Sequence, residues 1–101
     1  MTLPIKKKWF EMIYRGEKTE EYREIKPYYT SRFTGFICTG RQILIRLRNG
    51  YGKDRPYVDV LCHIYIDYGR EDWGAEKDKR YYVLKIDGVI KRYRSNTEEN
   101  E

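Results

Sequence analysis

The 101-residue chain holds one histidine, two cysteines and no uninterrupted apolar run longer than four residues. With His63 as the only histidine, a ribonuclease that works through paired histidines is excluded. Cys38 and Cys62 are too few and too far apart for a zinc knuckle, and there is no Cys-x-x-Cys, so no metal site is expected. No stretch approaches the roughly 18 apolar residues of a membrane span. The N-terminus also lacks the apolar segment of a secretion signal. The expectation is a cytoplasmic protein with reduced thiols, no cofactor, no membrane contact and a monomeric state by default. Phenylalanine is scarce as well, three residues against eleven tyrosines. Tyrosine combines a flat apolar ring with a polar tip, which suits half-wet rims and base-stacking platforms.

What is abundant is charge, at 37% of residues with a net of +5. Its distribution is uneven. The last seven residues, SNTEENE, carry three Glu and no basic residue, so residues 1–94 hold 21 basic and 13 acidic side chains, a net of +8. That tail, 95–101, has nothing apolar to bury and is expected to be disordered. Residues 1–94 suit a single domain. Their positive charge favours a polyanion, nucleic acid first.

The pattern along the chain predicts an α+β, β-rich fold. TLPI is a short first strand, with Pro4 tolerable at an edge. Trp9, Met12 and Ile13 at i, i+3 and i+4 predict a helix over about 6–15, stopped by Gly16. KTEEYR then alternates as a strand, which puts Lys18, Glu20 and Tyr22 on one face and Thr19, Glu21 and Arg23 on the other. Pro27 opens a helical turn with Tyr28, Tyr29 and Phe33 to bury. QILIRLRNG alternates with Ile43, Ile45 and Leu47 inward. YVDVLCHIYIDYG gives the longest strand signal, with Val58, Val60, Cys62, Ile64 and Ile66 on one face. YYVLKIDGVIKRY predicts a strand, a tight turn at Asp87-Gly88 and a short closing strand. Five to six strands with one or two short helices at the rim predict a small, partly closed β-barrel.

One segment carries more than a fold. Residues 16–23, GEKTEEYR, resemble the Gly-x-Lys-x-x-Glu-x-Arg motif of ASCH domains, in the PUA-like superfamily. LPIKKKWFEMIYRGEKTEEYREIKPYY is similar to the entry of short stand-alone ASCH proteins of bacteria and phages. DWGAE and YYVLKIDGVI, within 72–90, resemble their closing segment. The resemblance implies a PUA-like barrel and an RNA- or nucleotide-binding role. It also implies an alternative, because some small members are amidohydrolases acting on N4-acetylcytidine and others have been assigned ribonuclease activity. Gly16, Lys18, Glu21 and Arg23 match the motif. In the amidohydrolase members the Lys is a proposed proton acceptor and a Thr stands where this chain has Glu21. Thr19 lies one pleat out of register with that position. A late acidic proton donor in those enzymes would here be Glu71 or Glu76.

The chemistry of these residues is coherent without the resemblance. Glu21 and Arg23, two apart on a strand, lie about 6–7 Å apart on one face. An ionised Glu21 would accept from a base's exocyclic amine, as Glu does from cytosine N4. Arg23 and Lys18 would bind a phosphate or carbonyl oxygen. A Glu21 of raised pKa would instead act as a general base on water, making Lys18 and Glu21 the catalytic candidates. The plain alternative is a structural salt bridge. Arg46 and Arg48 form a basic ridge that Lys53 and Arg55 extend, suited to a nucleic-acid backbone. Lys6, Lys7 and Lys8 crowd a helix start, where the dipole disfavours cations unless a phosphate is near. Tyr28, Tyr29, Tyr51 and Tyr57 are stacking candidates, Trp73 a plug for one barrel end, and His63 a half-exposed residue on a polar face. A third reading, from size and tail, is a phage accessory or inhibitor protein that turns its basic surface on a host protein.

Overall fold

Alternating apolar residues at 43–49 and 57–68 build two neighbouring strands whose shared face forms the centre of the core. In the computed structural model, which describes residues 1–94, the elements follow as β1 (Thr2–Ile5), α1 (Lys7–Tyr14), β2 (Glu20–Arg23), α2 (Pro27–Phe33), β3 (Ile43–Asn49), β4 (Tyr57–Tyr68), a 3₁₀ turn at Glu71–Trp73, and β5 (Arg80–Tyr93). The acidic segment 95–101, expected to be disordered, lies outside the described residues. The strands form one mixed sheet in the order β1-β3-β4-β5-β2, with β1 parallel to β3 and the other pairs antiparallel.

Phe10 and Ile13 of α1 close over Leu3, Ile45, Leu47, Val58, Val60 and Ile64, and all are essentially inaccessible to solvent. At about 25 cal/mol per Å² of apolar surface, this burial is the main stabilising term. Phe10 and Ile13, rather than the expected Trp9 and Met12, form the centre of the helix's buried stripe. Trp9 is half-buried and turns toward the site described below. Tyr28, expected inside, is 51% exposed, and Phe33 is the buried residue of α2. Ile66 also leaves the core at the end of β4, 42% exposed.

Two further expectations need correction. Asp87-Gly88 is not a hairpin turn. β5 runs unbroken for 14 residues, longer than β4 at 12, and takes up the irregularity as bulges. Leu61 faces Gly88 while Cys62 faces Ile86, so Asp87 is the extra residue. A bulge leaves one residue unpaired and re-aims its side chain. The Asp87 carboxylate accordingly accepts from Gln42 Nε2 at 3.1 Å and meets His63 Nδ1 at 2.8 Å. The second correction concerns the barrel. Among the described residues no backbone ladder joins β1 to β2, so the five-stranded sheet is open, with those two strands as its edges.

Both cysteines are free thiols, and the buried Cys62 is pushed up to about 12 by burial, with the Asp87 charge adding to it. No helix among the described residues is long and apolar enough to cross a membrane.

Candidate functional site

Gly16 sets the site up. At φ +80° it ends α1 in a Schellman motif, with its N–H on the Ile13 carbonyl and the Glu17 N–H on the Met12 carbonyl. The Lys18 N–H also donates to Met12 O, at 3.1 Å, so Lys18 is still folded against the helix end when the strand begins at Glu20. Strict alternation placed Lys18 with Glu20 and Tyr22, away from Glu21. It fails because Lys18 precedes the strand, and its side chain runs to Glu21 instead.

The result is a buried ion triad. Lys18 Nζ donates to Glu21 Oε1 at 2.7 Å, and Arg23 Nη2 donates to Glu21 Oε2 at 2.7 Å. The same Nη2 donates to the Pro4 carbonyl on β1 at 2.9 Å, and Nη1 donates to the Tyr29 hydroxyl at 3.1 Å. Lys18, Glu21 and Arg23 are 1%, 7% and 9% exposed. Two cations around one carboxylate leave the triad with a net charge of about +1. Arg23 Nε is buried without a hydrogen-bond partner. Burial lowers the Lys18 pKa, with the Glu21 charge opposing. For Arg23, burial is also the largest single influence, but Glu21 and Tyr29 together outweigh it and hold the guanidinium protonated. The Lys18 ammonium lies 5.3 Å from the Tyr22 ring centre and 5.8 Å from that of Trp9, within cation–π range.

Glu21 and Arg23 form part of the wall of a cleft of about 290 Å³. Its other walls are largely aromatic, from Trp9, Tyr22, Tyr29, Trp73 and Tyr81, while Lys6, Glu24 and Lys26 add charge. Lys18 is not among the lining residues; it supports Glu21 from behind. Gly74, at φ +101°, lets the Trp73 turn close against Trp9, since a Cβ there would stand 3.0 Å from the indole ring.

No family model, curated protein or solved structure matches the chain.

The remaining candidates lie elsewhere. Arg46 is spent on Asp59, with Nε at 2.8 Å and Nη2 at 3.0 Å from the two carboxylate oxygens, and its guanidinium stacks 3.7 Å from the Tyr57 ring centre. Arg48 is half-buried, with its Nε enclosed. Neither lines the cleft, and the Arg46 side chain, 38% exposed, is engaged by Asp59. Lys53 and Arg55 are on the exposed loop after β3, and Arg55 Nε donates to the Asn49 carbonyl. Glu71 and Glu76 are exposed and neither lines the cleft. Glu24 and Trp9 do line it, and neither stands out in the sequence: Glu24 is one charge in a charged run, and Trp9 falls on the helix's apolar stripe.

Proposed function

We propose that this is an ASCH-type, PUA-like domain that binds RNA or a nucleotide-like ligand in the cleft over Glu21 and Arg23. The observation that carries the reading is a carboxylate fixed between Lys18 and Arg23 beside aromatic walls and further cations. Rings suit a base of any sequence, a carboxylate accepts from an exocyclic amine, and Lys6 and Lys26 suit a phosphate. The volume is near the lower end of small-molecule pockets, of order 300 Å³. In a PUA-like barrel β1 and β2 would approach each other, and the Arg23 contact to Pro4 is a side-chain link across that seam. The described charge of 21 basic against 13 acidic residues supports a polyanionic partner over a host-protein target.

The amidohydrolase alternative draws less support. Among the described residues no Ser, Thr, Cys or His lines the cleft, and the Lys18 amine is held behind Glu21.

Both tryptophans of the chain, Trp9 and Trp73, line the cleft, so intrinsic fluorescence reports directly on occupancy. Titration with nucleoside monophosphates and short RNAs at low salt should quench that signal saturably. No change with any nucleotide or RNA would sink the proposal.

A further inference from the structure

The cleft continues beyond Tyr29. Pro4, Lys26 and Tyr29 are shared with an adjoining groove of about 620 Å³ that Leu3, Tyr28 and Tyr51 help to line. Tyr51 is 86% exposed, on a loop between Gly50 at φ +81° and Gly52 at φ +114°. Among the described residues it makes no ring contact or hydrogen bond. Tyr28 is half-exposed, with the Arg32 guanidinium 3.4 Å from its ring centre. Lys26 is the one cation common to both depressions.

We infer that the ligand is single-stranded RNA of two or more nucleotides, with one base in the cleft, the next stacked on Tyr51 in the adjoining groove, and the linking phosphate at Lys26. This rests on the nucleotide-binding reading above and extends it from a mononucleotide to a strand. The continuity of the two depressions sets the path. A lysine at their junction falls where a chain of nucleotides carries its charge. The groove's exposed face is tyrosine, whose ring stacks on any base, and base faces are free only in unpaired strands. A neutral or basic peptide would leave the positive charge around the junction without a counterpart.

The test compares nucleoside monophosphates, a single-stranded RNA hexamer and the same hexamer in a duplex, on the parent chain and on Tyr51→Ala. Tyr51 is 86% exposed, so the variant should fold normally. The expected result is that the parent binds the single strand about tenfold or more tighter than any monophosphate, and tighter than the duplex. Tyr51→Ala should weaken the hexamer about fivefold or more, the low end for one stacked base, and leave the monophosphates unchanged. If monophosphates and hexamer bind alike and Tyr51→Ala is silent, the strand inference is overturned while the nucleotide cleft stands. If neither binds, both are overturned.

Discussion

The Arg23 guanidinium, on one edge strand of the sheet, donates to the backbone carbonyl of Pro4 on the opposite edge strand at 2.9 Å. One side chain therefore joins two strands that no backbone ladder connects. It also fixes one oxygen of Glu21, so the seam of the sheet and the acidic wall of the cleft share a residue.

Replacing Arg23 should accordingly damage stability and binding together. Arg23→Ala leaves the Lys18–Glu21 pair neutral but removes the charge-assisted hydrogen bonds to Glu21, Pro4 and Tyr29, and bonds of that kind are worth about 1.5–3 kcal/mol each. Arg23→Lys cannot span Pro4, Glu21 and Tyr29 at once and should fall between the parent and the alanine variant. Urea melts and RNA titration on the three proteins check this. Full stability in Arg23→Ala would mean that the link is dispensable.

Lys18 predicts a pH signature. Its folded pKa is lowered by burial, with Glu21 opposing, so it lies below the unfolded value of about 10.4. Between those values the unfolded chain binds more protons, and stability rises with pH. The contribution is fully present above the unfolded pKa and is lost as pH falls through the folded one. Denaturant melts between pH 8 and 10.5 should show the parent gaining on Lys18→Met as pH rises. A gap that shrinks instead would reverse the assigned sign.

The glycines separate a bulge from a turn. A Cβ at Gly88 would meet nothing within 4 Å, and its φ is not in the left-handed range, so Gly88→Ala should be neutral or stabilising by up to about 1 kcal/mol. Gly74→Ala combines a φ of +101° with a 3.0 Å approach to Trp9 and should destabilise by more than about 1 kcal/mol while disturbing the cleft. Thermal melts and tryptophan emission on both variants distinguish the cases. A large loss in Gly88→Ala would restore the hairpin turn.

Salt dependence should divide the cations. Lys6→Ala or Lys26→Ala should each reduce the log–log salt slope of RNA binding by about 1, as expected for one lost phosphate contact. Arg46→Ala should leave the slope nearly unchanged, because its guanidinium is already neutralised by Asp59. The opposite ranking would place the RNA on β3.

His63 and Asp87 carry a smaller effect. Burial raises the Asp87 pKa, but hydrogen bonds from His63 and Gln42 outweigh it, and the net shift is downward. The resulting stability is present above the ordinary carboxylate pKa and lost as pH falls through the depressed one. With side chains 33% and 28% exposed, the pair contributes no more than about 1 kcal/mol, so Asp87→Asn should shift acid unfolding only slightly.

The sequence by itself determined the local elements. Strict alternation in 43–49 and 57–64 set which residues of β3 and β4 face inward, because side chains on a strand alternate between faces. Gly16 marked the end of α1, because a left-handed residue favours glycine. The motif residues Glu21 and Arg23 were legible as a same-face pair for the same reason. Tertiary structure decided what local pattern cannot carry. Lys18 reached Glu21 because the Schellman turn, not the pleat, sets its direction. Asp87-Gly88 became a bulge because β4 continues as its partner on either side of it. Arg46 lost its place as a free cation because Asp59 faces it across β3 and β4, a neighbour thirteen residues away in the chain. Trp9 and Trp73 became walls of one cleft because a 3₁₀ turn late in the chain packs against the first helix. The Schellman turn is a local device that alternation does not register; the other three depend on contacts between segments remote in sequence, where spacing along the chain holds no record of distance in space.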